Sequence, residues 1–188
     1  EYTATFNPNN GEDEIVIDQK FGEDSTIPED PTKEGYTFDG WDKEIPETVP
    51  AEDTEYEAKW KVNQYTITYK VDGEIVGDVE TYDYGTEITI RIEPTKEGYT
   101  FSGWDKELPE TMPAENIVVS GMFTANTDVS YKVKYLEKGT NNVLAPEEIR
   151  TNKTFDKEYE ETAKVVTGYT AEVEKQTIKL DAYNKEVI

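Results

Sequence analysis

The chain has 188 residues and a formal net charge of -23, with 42 Asp and Glu against 19 Lys and Arg and with neither Cys nor His. Such a charge repels phosphate backbones and anionic lipid headgroups, so composition argues against nucleic-acid binding and membrane contact. The lack of Cys and His removes disulfides, thiolate metal sites and the commonest general base. No apolar run approaches the roughly 18 residues of a membrane-spanning helix.

The first two predicted strands form a hairpin at the start of the chain. Tyr2, Ala4 and Phe6 alternate with threonines, which is typical of a half-buried strand. A second β-rich run, EIVIDQKF, follows Asn10-Gly11, a dipeptide that favours a tight turn because both of its positions tolerate positive φ. These two strands should therefore be antiparallel neighbours.

Two further strands complete the first predicted unit. The polar stretch 22–34 contains two prolines, which exclude a long helix there. The run GYTFDGW at 35–41 predicts a short aromatic strand, in which Gly40 indicates a bulge or a close backbone approach beside Trp41. In Glu55–Trp60, apolar and charged residues alternate, so this segment predicts a strand with one buried face.

The chain then repeats itself. The stretch Pro31–Glu52 returns as Pro94–Glu115 with three changes and an offset of 63 residues. A repeat of this length is too long for a solenoid and long enough for a small domain. The first strand returns as YTITY, and Asp72-Gly73 takes the place of the hairpin turn. The residues that make the following loop more strand-like than its counterpart are Ile88, Ile90 and Ile92.

A third, divergent unit follows. Tyr131, Val133 and Tyr135 alternate with Lys132 and Lys134, so these lysines should face solvent and are poor candidates for a buried crosslink. The tripeptide GYT at 168–170 repeats the start of the third strand of the first unit. The final run, 186–188, indicates a last strand that is cut short.

Together these patterns predict a fold between all-β and α+β, made of three small tandem β modules with mostly antiparallel strands and a helix that is short or absent. The modules are 1–62, 63–125 and 126–188, with boundaries near Val62 and Ala125 and with the last strand of the third truncated. The chain opens on a strand and stops inside one, so we expect a segment of a longer protein, with targeting signals outside it.

Acidic clusters raise the possibility of calcium binding. Glu12–Glu14, Glu29-Asp30 and Glu52-Asp53 offer oxygen ligands, yet none has the alternating spacing and central glycine of a calcium-binding loop. Glycoside hydrolases use a pair of carboxylates, but among 42 acidic residues such pairs arise by chance and do not indicate an enzyme. We therefore expect no enzyme, no catalytic residue, no metal and no cofactor, and we name no ligand-binding residue.

The tryptophans allow two interpretations. Trp41 and Trp104 could stack on sugars, but aromatic residues that recur at equivalent strand positions are more often part of a core. We expect these two and Trp60 to be mainly core residues.

The first two units resemble the Listeria-Bacteroides repeat, also known as the internalin B-repeat, of bacterial surface proteins. The resemblance is carried by YTATF and YTITY, by PTKEGYTFDGW and PTKEGYTFSGW, and by PAEDTEYEAKW and MPAENIVVSGMF. The third unit is similar to the mucin-binding-protein (MucBP) repeats through YKVKYLEKGTNNVLAPEE and VVTGYTAE. Both resemblances imply compact modules related to the β-grasp fold, on secreted or cell-wall-attached bacterial proteins, without a known enzymatic activity.

Two functions follow from this resemblance. The first is an extracellular stalk or spacer that projects other domains, which near-identity of the first two units favours, and the second is an adhesion module that binds a host glycan or protein, for which the divergent third unit is the best candidate. We expect a monomer in either case. The short connections between units predict restricted hinge motion.

Overall fold

The computed structural model describes residues 1–89 and 93–188, and this part of the chain is all-β and contains no helix. The predicted fold of small, mostly antiparallel β modules is therefore confirmed. The strand-like character predicted for Ile90 and Ile92 lies outside the described residues. The strands are β1 (Tyr2–Asn7), β2 (Ile15–Gln19), β3 (Tyr36–Trp41), β4 (Thr54–Val62), β5 (Gln64–Val71), β6 (Glu74–Ile75), β7 (Glu80–Asp83), β8 (Tyr99–Phe101), β9 (Ile117–Gly121), β10 (Phe123–Ala125), β11 (Val129–Leu136), β12 (Val143–Lys153), β13 (Glu158–Thr162), β14 (Lys175–Lys179) and β15 (Glu186–Val187).

The first sheet has the strand order β2-β1-β4-β3. β1 pairs antiparallel with β2, as the hairpin predicts, and parallel with β4. The hairpin loop is longer than the predicted two-residue turn, and positive φ falls at Asn9 and Gly11 rather than at Asn10. The predicted bulge near Gly40 is present, because the β3–β4 register shifts between Phe38 and Trp41.

A second sheet repeats this plan. It has the order β6-β5-β7, with β9 also paired to β5, and a separate pair joins β10 to β8. Asp72 and Gly73 have φ of 53° and 88°, so the predicted two-residue turn between β5 and β6 is confirmed. β8 keeps only Tyr99–Phe101 of the aromatic strand.

The C-terminal strands form two small sheets. One has the order β12-β11-β15, and the other pairs β13 with β14. β15 lies parallel to β11, with Val133 opposite Val187, just as β4 lies parallel to β1 with Phe6 opposite Tyr56. The predicted third copy of the first-sheet pattern is therefore recognisable, although its GYT tripeptide is not part of a strand.

The chain folds into two compact units, which are Glu1–Tyr69, Ile75–Ile90 and Glu107–Val119, and Lys70–Glu74, Arg91–Lys106 and Ser120–Ile188. The predicted module boundaries near Val62 and Ala125 stay a prediction. In the described chain, no helix is long and apolar enough to cross a membrane.

Aromatic stacking dominates the core of the first unit. Phe6 is completely buried and stacks on Tyr56 at 4.9 Å between ring centroids, while Trp41 meets Phe6 edge-on at 5.0 Å. Burial of one such side chain contributes about 1.5–3 kcal/mol, which a core of this size needs. The buried hydrophobic residues of this unit include Ala4, Phe6, Val49, Tyr56, Ala58, Ile67, Tyr69, Ile88, Met112, Ile117 and Val119.

The core of the second unit lies between the two C-terminal sheets. Tyr131 and Leu180 are almost completely buried there, and Phe155 joins them from the loop after β12. Tyr99 and Tyr159 pack against this cluster from its edges. The buried hydrophobic residues of the cluster are Val129, Tyr131, Val133, Phe155, Ile178, Leu180 and Val187.

Candidate functional site: the glycine joints and a C-terminal cleft

The GYT tripeptide forms the same turn in all three places where it occurs. In each, the tyrosine N–H donates to the carbonyl oxygen three residues earlier, and the glycine between them has a positive φ that L side chains adopt with strain. The turns are Lys33–Tyr36, Lys96–Tyr99 and Val166–Tyr169, each with an N–O distance of 3.1 Å, and the glycine φ values are 75°, 76° and 88° at Gly35, Gly98 and Gly168.

An aromatic ring from the next repeat lies on the first of these turns. A Cβ on Gly35 would lie 2.1 Å from the Tyr84 ring, so only glycine admits the ring there. The same ring meets Tyr36 edge-on, at 5.8 Å between centroids. The Asn63 N–H donates to the Gly35 carbonyl and the Asn63 carbonyl accepts from the Tyr84 N–H, both at 2.9 Å. The Thr37 hydroxyl donates to Asn63 Oδ1 at 2.6 Å.

The second turn carries an equivalent arrangement. A Cβ on Gly98 would lie 2.3 Å from the Phe155 ring, which meets Tyr99 edge-on at 5.7 Å. The Asn126 N–H donates to the Gly98 carbonyl at 2.9 Å, and the Phe155 N–H donates to the Asn126 carbonyl at 2.8 Å. The Thr100 hydroxyl donates to Asn126 Oδ1 at 2.7 Å. We call these two arrangements the first and second glycine joints.

The second joint has additional contacts. Asn126 Nδ2 donates to the Tyr183 hydroxyl at 2.9 Å, and the Tyr183 ring lies 5.5 Å from that of Phe155. The Tyr99 hydroxyl donates to Asp156 at 2.9 Å, and this hydrogen bond raises the pKa of Tyr99. The Phe155 side chain is only 6% exposed, so this joint is continuous with the core of its unit.

The third turn is open. A Cβ built on Gly168 meets nothing within 4 Å, and Tyr169 is 49% exposed. This turn therefore has the backbone of a joint without a ring on its glycine.

Next to the third turn lies a cleft of about 530 Å³. Apolar and aromatic side chains, among them Tyr135, Leu136, Val166 and Tyr169, line it together with charged side chains. Clefts that combine apolar and aromatic side chains with polar groups are typical of ligand sites. All of the residues that line the cleft lie between Val133 and Ile188.

A partly buried ion pair links the strands of the C-terminal region. Arg150 of β12 binds Glu161 of β13 through two hydrogen bonds of 2.9 and 3.0 Å, and it binds Glu148 at 2.8 Å. The Tyr131 hydroxyl of β11 also donates to Glu161, whose side chain is 12% exposed. The Arg150 guanidinium lowers the pKa of Glu161, and burial followed by the Glu161 hydrogen bond raises the pKa of Tyr131. This cluster ties three strands together, and its contribution to stability is lost as pH falls through the lowered pKa of Glu161.

The tryptophans are half-buried rather than fully buried. Trp41 packs against the core aromatic Phe6, and the Trp60 indole N–H donates to a backbone carbonyl at 2.9 Å, that of Pro8. Trp104 meets Phe101 edge-on at 5.0 Å. The expectation of core residues therefore holds for Trp41, which packs against the buried cluster, while part of all three tryptophans remains accessible.

Two of the three acidic clusters make local hydrogen bonds. The Asn10 side chain binds Glu12 at 2.8 Å, and Asp53 accepts from the Thr3 N–H at 2.8 Å. Over residues 1–89 and 93–188, no three acidic side chains come together as metal ligands would. Lys132 and Lys134 form exposed or half-exposed ion pairs with Glu147 and Glu186, as their predicted orientation requires.

Solved structures with weak likeness to the chain include two from repeat proteins. One holds Streptococcal High Identity Repeats in Tandem (SHIRT) domains 3-4 from a cell surface protein, at 20% identity and a TM-score of 0.26, covering 67% of this chain and 100% of that one. The other is Mub-RV, at 13% identity and a TM-score of 0.23, covering 99% and 95%. Scores this low carry no argument about this chain.

Sequence relatives are closer. A predicted Gly-rich membrane protein of Evansella cellulosilytica is 32% identical over 156 residues, covering 76% of this chain and 18% of the relative. Internalin H of Listeria monocytogenes is 36% identical over 145 residues, covering 66% of this chain and 25% of the relative. The chain thus spans a quarter or less of the length of these relatives. The family model of the Listeria-Bacteroides repeat domain matches residues 2–61 and 65–129, which include both turns that carry a glycine joint. The chain belongs to the Listeria-Bacteroides repeat family.

Proposed function

We propose that this chain is a non-catalytic spacer in an extracellular bacterial surface protein, where it projects other domains away from the cell. The proposal divides the chain into modules 1–62, 63–125 and 126–188, of which the third is a MucBP-like module. It is supported by the repeat family, and by relatives that include a membrane protein and an internalin.

The observation that carries the proposal is the repetition of one joint. A spacer needs neighbouring modules that keep their mutual orientation, and a joint with a ring on a glycine and three hydrogen bonds through one asparagine restricts rotation. The covalent link is also short, because only Asn63 separates β4 from β5. Flexible tethers are longer and rich in Gly and Ser.

Charge supports the same function. Like charges of the magnitude found here oppose association of modules through their faces, which keeps a tandem array soluble and favours a monomer. Three modules in line would then span several nanometres. Small-angle scattering tests this length directly.

The second candidate function is adhesion through the third module. The observation that favours it is the cleft of about 530 Å³, whose lining combines Tyr135 and Tyr169 with the charged side chains of Lys164 and Glu172. Aromatic faces beside polar groups suit a sugar or an extended peptide. This function and the spacer are compatible, because only one module would carry the site.

Binding assays separate the two functions. If the third module is an adhesion module, immobilised host glycans or matrix proteins should retain the chain, and Tyr169→Ala should weaken this binding about tenfold or more, as loss of a central aromatic contact does. Val165→Ala is the matched control, because this side chain is 95% exposed and does not line the cleft. Retention that both variants weaken equally would contradict a role for the cleft. A pure spacer predicts no retention.

A further inference from the structure

Three aromatic residues occupy equivalent turn positions in the three sequence repeats. In each case the residue that follows the aromatic donates its N–H to the carbonyl of a buried residue far along the chain. The pairs are Gly22 to Val49 at 3.1 Å, Gly85 to Met112 at 2.8 Å and Asp156 to Leu180 at 2.8 Å. The preceding aromatic residues are therefore equivalent, and they are Phe21, Tyr84 and Phe155.

Two of these aromatic residues form the glycine joints. Tyr84 lies on Gly35 in the first glycine joint, and Phe155 lies on Gly98 in the second. Phe21 differs from both, because it is 66% exposed and makes only an edge-on contact with Tyr2 at 6.4 Å among the described ring contacts. At the two equivalent positions, the aromatic ring lies on a glycine turn. Phe21 therefore provides the aromatic ring of a third glycine joint, without a glycine turn beneath it.

We infer that the surface formed by Phe21 and Tyr2 docks the glycine turn of another Listeria-Bacteroides repeat placed directly ahead of Glu1 in the same polypeptide. This inference rests on the proposed spacer function and extends it to a specific partner. The partner must supply a Gly-Tyr-Thr turn beneath the Phe21 ring and an asparagine as the residue before Glu1.

The register of the joint fixes the place of that asparagine. Asn63 precedes Gln64, the first residue of β5, and Gln64 corresponds to Glu1 at the offset of 63. Further contacts confirm the equivalence, because the Thr3 N–H donates to Asp53 Oδ1 as the Thr66 N–H donates to Asn116 Oδ1, both at 2.8 Å. An asparagine joined directly to Glu1 would therefore place its carbonyl to accept from the Phe21 N–H.

The chain itself supplies a suitable partner for a test. A second copy of residues 1–63, fused ahead of Glu1 of the full chain, places an Asn63 directly before Glu1 and a Gly35 turn in the added copy. In this extended protein the Phe21 amide should exchange with solvent about tenfold more slowly than in the original chain, which is the effect of one net hydrogen bond with burial. Residue-resolved hydrogen exchange by NMR measures this change.

Two variants of the added copy serve as controls. Gly35→Ala in the added copy should abolish the new protection of Phe21, because its Cβ would occupy the position of the ring. Gly40→Ala should keep the protection, since Gly40 has a comparable φ of 83° and nothing within 4 Å of a Cβ. The Gly22 amide, which donates to Val49 in the original chain, reports in each protein whether this module is folded.

Equal exchange of the Phe21 amide in the original and extended proteins would overturn the inference. So would protection in the original chain that rises with protein concentration, because a second copy would then be the occupant. The spacer function fails separately, on the scattering dimension of the unmodified chain. Protection of Phe21 in a collapsed chain would contradict the spacer alone, and an extended chain without protection would contradict this docking surface alone.

Discussion

Gly98→Ala is expected to destabilise the chain by about 3–5 kcal/mol, because it combines two costs. An alanine with φ near 76° costs about 1–3 kcal/mol in backbone strain. Its Cβ would also lie 2.3 Å from the Phe155 ring, so the ring must leave its site and much of its burial is lost. Calorimetry should show that the compact unit containing Gly98 and Phe155 unfolds at a clearly lower temperature.

Gly168→Ala is the matched control for this substitution. Gly168 begins the same tripeptide and has a φ of 88°, but a Cβ there meets no atom within 4 Å. Only the backbone cost of about 1–3 kcal/mol should therefore appear. Equal losses of stability for Gly98→Ala and Gly168→Ala would mean that the ring contact contributes nothing. Gly35→Ala should reproduce the larger effect in the first unit, where Tyr84 takes the place of Phe155.

Phe155→Ala should destabilise the compact unit that contains it by about 3–5 kcal/mol, the usual cost of removing a buried phenylalanine. The Phe155 side chain is 6% exposed and contacts Tyr99 across the joint and Tyr183 beside it. For a domain of this size, such a loss lowers the melting temperature by more than about 10 °C. Differential scanning calorimetry of the variant measures it.

Phe21→Ala is the control, because Phe21 occupies the equivalent position in the first sequence repeat. Because Phe21 is 66% exposed, its removal should change stability by less than about 1 kcal/mol. If Phe21→Ala and Phe155→Ala lowered stability equally, the aromatic residue would stabilise its own module rather than the glycine joint.

The strands were predictable because their signals are local. Alternation in YTATF and YTITY reports a half-buried strand, and Asp72-Gly73 reports a tight turn, since each depends only on neighbouring residues. The longer loop after β1 was missed because Asn9 adopts the positive φ that the pattern assigns to Asn10. Asparagine tolerates this conformation at either position, so composition does not place it.

The joints depend on contacts that local patterns do not contain. The pattern predicts a bulge or a close backbone approach at Gly40, and the bulge is present. The close approach occurs instead at Gly35, where a Cβ would meet the Tyr84 ring. A signal for Gly35 did exist, because GYT is retained in the third unit, where the GWDKE signature is lost. The pair of Arg150 and Glu161 was missed because its partners lie on different strands of different sheets.

The proposed spacer requires three modules in line with restricted hinge motion, and small-angle X-ray scattering of the unmodified chain tests this arrangement. Compact domains of about 60 residues have diameters of roughly 25–35 Å, so three in line give a maximum dimension of about 80–100 Å. If the glycine joints rather than charge repulsion hold the modules in line, this dimension should change little with salt. A maximum dimension near about 50 Å, which is the size of a single globule of this length, would contradict the spacer function.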